Sequence, residues 1–187
     1  MPIRQVNVEL GWGPAKLSGV WEPDSAERDA AWELYVELVT RISVMPLAPD
    51  HGILREALTS LYNLFGITRE ILRKYGPAVA RPPQKSGQYR FGHLAVWMLN
   101  AALRPVLATW HPRLQEWEAS RGADLSIVAH ERAWADAAAL RAELEDLRRL
   151  LLDYAQILAT VCEAPALIDA THEVLASLEG TKPAVDG

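Results

Sequence analysis

The sequence has one cysteine, no long uninterrupted apolar run and no excess of positive charge. Cys162 alone excludes an intramolecular disulfide and a thiolate-rich metal site. Apolar windows are broken by Arg, Asn or Glu well short of the ~20 residues that a bilayer-spanning helix needs. The net charge of −5 argues against general nucleic-acid affinity, which depends on clustered Lys and Arg. We therefore expect a cytoplasmic protein without a signal peptide or membrane segment.

Sequence motifs for common enzyme chemistry are also missing. The chain has no Gly-x-Ser-x-Gly elbow, no Walker loop and no Gly-x-Gly-x-x-Gly, which hydrolase, P-loop and dinucleotide sites require. Its histidines lack metal-ligand spacing: His51, His93, His111, His130 and His172. We predict no metal and no cofactor.

The composition is that of an ordinary globular protein, with 50% hydrophobic and 23% charged residues. A length of 187 residues suits one domain. We predict a single helical domain over residues 1–180, with a β arm at 1–22 and a disordered tail at 181–187.

The N-terminal arm alternates with period two over residues 3–10, which is typical of a strand. Gly11, Gly13 and Pro14 then predict a turn, and Lys16 to Trp21 forms a second extended piece. Because an isolated hairpin is marginally stable, we expect the arm to lie on the helices.

Apolar residues at helical spacing dominate the rest of the chain. Asp24 and Glu27 form a capping box that begins a helix ending near Met45, before Pro46. Its predicted apolar row is Trp32, Tyr35, Val39 and Ile42. A second helix is predicted from about Asp50 to Gly76, with a heptad seam and an internal Gly66, which we read as a point of close approach.

A central helix from Phe91 to Glu118 keeps one apolar stripe in spite of Pro105 and Pro112. The stripe is Val96, Leu99, Leu103, Leu107, Trp110, Leu114 and Trp117. Another long helix is predicted from about Ser126 to Val161, and a short one from Pro165 to Glu179. These patterns predict an all-α, up-down bundle of four long helices plus a short C-terminal helix and a small N-terminal β arm.

Arg104 and His111 lie two helical turns apart on one side of the central helix. Their spacing resembles the Arg-then-His signature of the HEPN ribonucleases, all-helical proteins that cleave RNA at a dimer cleft. The resemblance implies that His111 acts as acid or base and that Arg104 stabilises phosphorane charge. Pro105 departs from the family, which has a polar residue after the arginine. The alternative is structural: Arg104 pairs with an acidic neighbour and His111 caps a kink.

The wider string of Leu103-Arg104-Pro105, Trp110-His111-Pro112 and Trp117-Glu118 resembles small all-helical bacterial proteins of phage-defence loci, over about residues 91–118 and part of the second helix. The resemblance implies an accessory component that acts beside other gene products, and it assigns no catalytic residue.

A basic stretch spans residues 69–90, with one acid, Glu70, among six cations: Arg69, Arg73, Lys74, Arg81, Lys85 and Arg90. Such polarisation suits a nucleotide, a nucleic-acid backbone or an acidic partner. The alternative is a solvated helix end, because cations also complement a helix C-terminus.

Tryptophan is frequent, with seven residues, and Trp12 and Trp21 flank the N-terminal turn. Aromatic residues are favoured at interfaces, so we expect these two to clamp the arm onto the bundle or onto a partner. The favoured function is a non-enzymatic interaction or adaptor protein that forms a homo-oligomer or binds a protein partner. Nucleic-acid or nucleotide binding through residues 69–90, and RNA cleavage by Arg104 and His111, are the alternatives.

Overall fold

A computed structural model describes residues 4–41, 47, 52–83 and 85–165, and after them positions 167, 169–170, 173–174 and 176–177. Over these residues the chain is mostly helical, with one three-stranded sheet near the N-terminus. None of the described helices has the length and apolar character needed to span a bilayer.

The predicted hairpin is confirmed. Strand β1 (Val6–Trp12) pairs antiparallel with β2 (Ala15–Trp21), and Gly13 takes a positive φ of 53° in the turn between them. The inward residues of β1 are buried against the helices: Val6, Val8 and Leu10. The arm therefore lies on the helical part of the chain, as its alternation predicted.

A third strand, β3 (Gln88–Tyr89), pairs parallel with β2 and was not predicted. A two-residue strand after a proline-rich segment has no periodicity to reveal it. Gly19 permits this pairing, because a Cβ there would lie 2.1 Å from the carbonyl oxygen of Gly87.

Helix α1 (Ser25–Val39) begins with the predicted capping box. The Glu27 amide donates to Asp24 Oδ1 at 3.0 Å, and the Asp24 amide donates to Glu27 Oε2 at 3.1 Å. The helix ends at Val39, earlier than predicted, and Met45 and Pro46 lie outside the described residues. At its end, the Thr40 hydroxyl bonds the Val36 carbonyl, a local bond that competes with helix continuation.

The predicted apolar row of α1 was wrong at Trp32, which is 44% exposed. The buried face keeps Tyr35 of that row, together with the apolar residues beside it, Ala30, Ala31, Leu34 and Leu38, and Ile42 lies outside the described residues. The predicted row follows the bulkiest side chains, whereas the face that packs consists mostly of alanine and leucine.

Helix α2 (Leu54–Tyr75) continues into a 3₁₀ turn (Gly76–Ala80). Its predicted start, Asp50, lies outside the described residues. The close approach predicted at Gly66 was wrong, since a Cβ there would have no described atom within 4 Å. Gly66 therefore brings the ordinary conformational cost of a helical glycine without a packing reason.

The central helix runs from Phe91 to Ala119 as α3 (Phe91–Trp97), a π turn (Met98–Leu103) and α4 (Arg104–Ala119). The Arg104 amide donates to the Leu99 carbonyl, five residues back. Because Pro105 has no amide proton and crowds the carbonyl four residues back, the wider turn before it keeps the helix continuous. The predicted stripe is buried from Leu99 to Leu114, whereas Val96 is exposed.

The helix predicted from Ser126 to Val161 is two helices, α5 (Ile127–Arg132) and α6 (Ala137–Cys162). Between them, Trp134 packs edge-on against Trp110, with ring centroids 6.0 Å apart and planes at 89°. On α6 the residues at heptad spacing are buried: Leu140, Leu144, Leu147, Leu151, Tyr154, Leu158 and Val161. The mostly helical class is therefore confirmed, whereas the up-down bundle of four long helices stays a prediction.

The two C-terminal predictions fall largely outside the described residues. The described positions of the segment predicted to be a short helix, 167, 169–170, 173–174 and 176–177, are helical. The predicted tail at 181–187 lies wholly outside them.

Candidate functional site

Trp21 belongs to the core of the described chain. Its side chain is fully buried, and its indole Nε1 donates to Glu27 Oε1 at 3.2 Å. Trp12 is half-buried at the end of β1 and packs against the core. Trp21 therefore holds the arm on the helices, which is the first of the two predicted alternatives.

Two cations of the basic stretch, the largely buried Arg90 and the exposed Lys74, form ion pairs with acids at or near helix α1. Arg90 Nη1 lies 2.9 Å from Glu27 Oε2 and 3.8 Å from Asp24 Oδ2, and its side chain is largely buried. Lys74 pairs with Glu33 of α1. These two side chains hold neighbouring elements together.

The other four cations of the stretch are exposed. Arg69 donates its Nε to the Phe65 carbonyl at 3.0 Å. Arg73, Arg81 and Lys85 form no ion pair with any described residue. The charge available to a ligand is therefore smaller than the sequence indicates.

Arg104 and His111 have separate partners. Arg104 Nε donates to Asn100 Oδ1 at 3.0 Å, and its guanidinium lies 5.4 Å from the centroid of Phe65. The His111 ring lies 5.8 Å from that of Tyr62. Burial and the charge of Arg55 lower the pKa of His111, so the ring is neutral at physiological pH.

The spacing of Arg104 and His111 has a packing explanation. Together with Glu118 they form a heptad row on α4 that faces α2, where the three side chains meet, in order, Phe65, Tyr62 and Arg55. The Glu118 pair is bidentate, with nitrogen–oxygen distances of 3.0 and 2.6 Å. Antiparallel packing of α2 and α4 thus accounts for the seven-residue step.

Sequence reasoning missed the long-range role of a buried glutamate, Glu27. Besides the capping box, its carboxylate accepts from Trp21 Nε1, Arg90 Nη1 and the Phe91 amide, the last at 2.8 Å. Phe91 is the first residue of α3, and the arginine before it has only donors and cannot cap a helix. Glu27 therefore caps α3 from α1.

A second buried glutamate, Glu131 of α5, repeats this arrangement. Its Oε2 accepts from the Leu54 amide at 2.8 Å, and its Oε1 lies 3.4 Å from Arg141 Nη2. Leu54 begins α2, whose N-cap residue Ile53 has an apolar side chain. Burial raises the pKa of Glu131, since removal from water outweighs the helix amide and Arg141.

Glu131 borders a pocket of about 230 Å³ between α4 and α5, lined by Leu114, Trp117, Glu118, Arg121, Ile127, His130 and Glu131. His130 stacks on Trp117, with centroids 4.5 Å apart and planes at 7°. Trp117 Nε1 donates to the His130 carbonyl at 2.9 Å, and His130 Nε2 donates to the Trp117 carbonyl at 2.7 Å. Reciprocal bonds and stacking make this wall of the pocket rigid.

Exposed apolar side chains lie beside this pocket on three of four consecutive residues, Leu125, Ile127 and Val128. We call these residues and the pocket the α5 face. Ser126 caps α5 by accepting from the Ala129 amide at 3.1 Å, which holds the apolar residues in place. In the sequence this segment has the pattern of the start of a long amphipathic helix. In the structure the helix breaks before α6, and the three apolar side chains are exposed.

Chemistry elsewhere on the described chain is limited. Burial raises the pKa of Cys162 to about 11, so its thiol is protonated at neutral pH. Among the described residues, no three His, Cys, Asp or Glu side chains cluster as a metal site would require.

Comparison with known proteins adds no relative: no family model, curated protein or solved structure matches this chain. Function is therefore argued from the chain's own sites.

Proposed function

We propose that this chain is a non-enzymatic helical interaction protein that self-associates or binds a protein partner through the α5 face. The observation that carries the proposal is the apolar cluster Leu125, Ile127 and Val128 beside a pocket of about 230 Å³. Contiguous exposed apolar surface next to a concave site is typical of protein interfaces.

The shape of the pocket supports the same function. Leu114 is fully buried at the pocket, while the stacked Trp117 and His130 form one wall. A rigid pocket receives a partner side chain with little loss of conformational freedom. The resemblance to defence-locus proteins makes the products of neighbouring genes the first partners to test.

Two valines of matched exposure provide the test. Val128 is 41% exposed on the α5 face, and Val96 is 44% exposed on α3. We expect Val128→Asp to abolish self-association in light scattering, or binding of the neighbouring gene product in calorimetry, and Val96→Asp to leave either unchanged. A strict monomer that binds none of those products, or equal effects of the two variants, contradicts the proposal.

Anion or nucleic-acid binding is a second candidate, favoured by the exposure of Arg73, Arg81 and Lys85. The expected result is binding of short oligonucleotides that weakens steeply with salt. Replacing these three side chains with Gln then abolishes binding. Binding that is absent or insensitive to salt argues against this candidate.

RNA cleavage by Arg104 and His111 remains a prediction. It requires that labelled RNA be cut by the wild type and left intact by His111→Ala. The alternative is that His111 has a packing role against Tyr62. In that case neither the wild type nor His111→Ala cleaves RNA.

A further inference from the structure

Helices α1 and α2 enclose a second groove, away from the residues of the α5 face. Its volume is about 500 Å³, and its lining residues are Trp32, Glu33, Val36, Glu37, Ile67, Glu70, Ile71 and Lys74. The α2 side runs from Ile67 to Lys74, a rise of about 10.5 Å, or roughly two helical turns. The floor is apolar, with Ile71 buried and Val36 and Ile67 half-buried.

Packing of α1 on α2 closes both ends of the groove. At one end Glu33 Oε1 accepts from the Tyr75 hydroxyl at 2.6 Å and also pairs with Lys74. At the other end Arg41 bonds Glu37 at 2.7 Å and the Ser60 carbonyl at 3.2 Å. These contacts show that the helices run antiparallel and that the groove between them has a defined length.

Trp32 stands at the edge of this groove. It is 44% exposed, and its ring centroid lies 6.1 Å from that of Tyr35, which is fully buried. The core therefore supports one side of the indole while the other side faces solvent. Tryptophan is one of the residues enriched in interface hot spots.

The rim of the groove is acidic. Its lining holds three acids and one lysine; Glu33 is paired with that lysine and Glu37 with Arg41, which leaves Glu70 as the lining acid whose charge is not offset by a described residue. Glu70 makes no ion pair with a described residue, and neither does Asp29, which lies one turn before Glu33 on α1. Negative charge at the rim remains available to a ligand.

We propose that the groove between α1 and α2 binds a basic amphipathic helix of a partner protein. Two turns of such a helix fill the groove, with apolar residues on Ile67, Ile71 and Trp32 and with Lys or Arg beside Glu70. Helix-in-groove recognition combines an apolar face with flanking charges in this way. This proposal does not depend on the α5 face, and both together make the chain an adaptor with two docking surfaces.

Charge also separates this occupant from the others. A symmetric dimer through the groove would oppose its acids to themselves. A nucleic acid or an anionic membrane surface would meet the same acids with its phosphates. A positively charged helix is the occupant that the rim attracts.

The test uses the full chain and a labelled amphipathic peptide of about 18 residues, with Leu on one face and Lys on the other. Fluorescence anisotropy is measured against a peptide in which Glu replaces Lys. We expect the Lys peptide to bind at least about tenfold more tightly, a difference of about 1.4 kcal/mol, and to lose affinity with salt. Equal affinity for the two peptides, or no binding of either, overturns the proposal.

Matched charge reversals locate the binding. Glu70 lines the groove, whereas Glu116 is an exposed acid on α4 that forms no ion pair with a described residue. We expect Glu70→Lys to weaken the Lys peptide about tenfold and Glu116→Lys to leave it unchanged. Equal weakening by both variants shows a general effect of net charge and overturns the proposal.

Two further variants separate peptide binding in the groove from a loss of folding and from binding at the α5 face. Trp32→Ala is expected to weaken the peptide at least about tenfold while circular dichroism shows the wild-type helical signal. Val128→Asp is expected to leave peptide affinity unchanged. Peptide binding that survives Trp32→Ala, or that is lost in Val128→Asp, overturns the assignment to this groove.

Discussion

Glu27 and Glu131 have the same role at two places in the molecule, with different surroundings. Each is a buried carboxylate that caps another helix and pairs with an arginine: Glu27 with Phe91 and Arg90, Glu131 with Leu54 and Arg141. Glu27 is enclosed and also binds Trp21 and its own helix end. Glu131 lines a pocket. The comparison shows one structural solution used once inside the core and once at a surface open to a partner.

The two carboxylates differ in their hydrogen-bond donors. The Glu27 carboxylate accepts four hydrogen bonds, from Trp21, Asp24, Arg90 and Phe91. The Arg141 nitrogen is 3.4 Å from Glu131, longer than the 2.9 Å between Arg90 and Glu27. Burial therefore raises the pKa of Glu131, which has fewer bonds to offset the loss of water.

The largest effect is expected at Glu27. In Glu27→Gln the side chain keeps its shape, but the largely buried Arg90 loses its nearer charge partner and retains, among the described acids, only Asp24, at 3.8 Å. We expect the free energy of unfolding to fall by about 3 kcal/mol, measured by chemical denaturation. Glu22→Gln, an exposed neighbour, is the control and should change stability by less than about 0.5 kcal/mol. Equal losses in the two variants would contradict the central role of Glu27.

Gly19→Ala attacks the same region from the sheet. The added methyl group would lie 2.1 Å from the Gly87 carbonyl and 2.8 Å from the Tyr89 ring, so β3 must move. Because β3 leads into the start of α3, we expect a loss of about 2 kcal/mol. Gly11→Ala on β1, where a Cβ has only ordinary contact, is the control. A Gly19→Ala protein as stable as the control would show that β3 does not position α3.

Glu131→Ala removes the cap of α2 and should cost about 1–2 kcal/mol, less than the Glu27 variant. Glu131→Gln keeps an acceptor for the Leu54 amide and should cost less than the alanine variant. Thermal and chemical denaturation of both variants measure the difference. If Gln is as damaging as Ala, the charge of Glu131, and not its hydrogen bond to α2, dominates.

The smallest predicted effect is on pH dependence. The folded pKa of Glu131 is raised above its ordinary value of 4.5, so the folded state holds the proton more tightly than the unfolded state. Its contribution is therefore greatest below pH 4.5 and declines as the pH rises through the folded pKa. The stability of the wild type relative to Glu131→Gln should fall over that interval. A difference that rises with pH would contradict the direction of the shift.

Local signals in the sequence predicted much of the fold. The capping box at Asp24, the alternation in β1 and the central stripe from Leu99 to Leu114 each appear in the structure. These features depend on residues a few positions apart, so a periodic pattern is enough to reveal them.

The candidate sites were much less predictable. The starts of α2 and α3 have no cap from a neighbouring side chain. The carboxylates that accept hydrogen bonds from their first amides are 77 and 64 residues away in sequence. Trp32, which was predicted in the apolar row of α1, is exposed, whereas Trp21 is fully buried. The α5 face depends on a helix break that the continuous apolar pattern conceals.

By itself the sequence determined most of the helical and extended segments and which of their faces are mostly apolar, because hydrogen bonding within helices and side-chain periodicity are local. Only the tertiary structure decided which apolar side chains are covered and which carboxylates become caps. Burial depends on the neighbour that long-range packing brings against a face. Glu27 and Glu131 read as ordinary helical acids until the fold placed a helix N-terminus against each one.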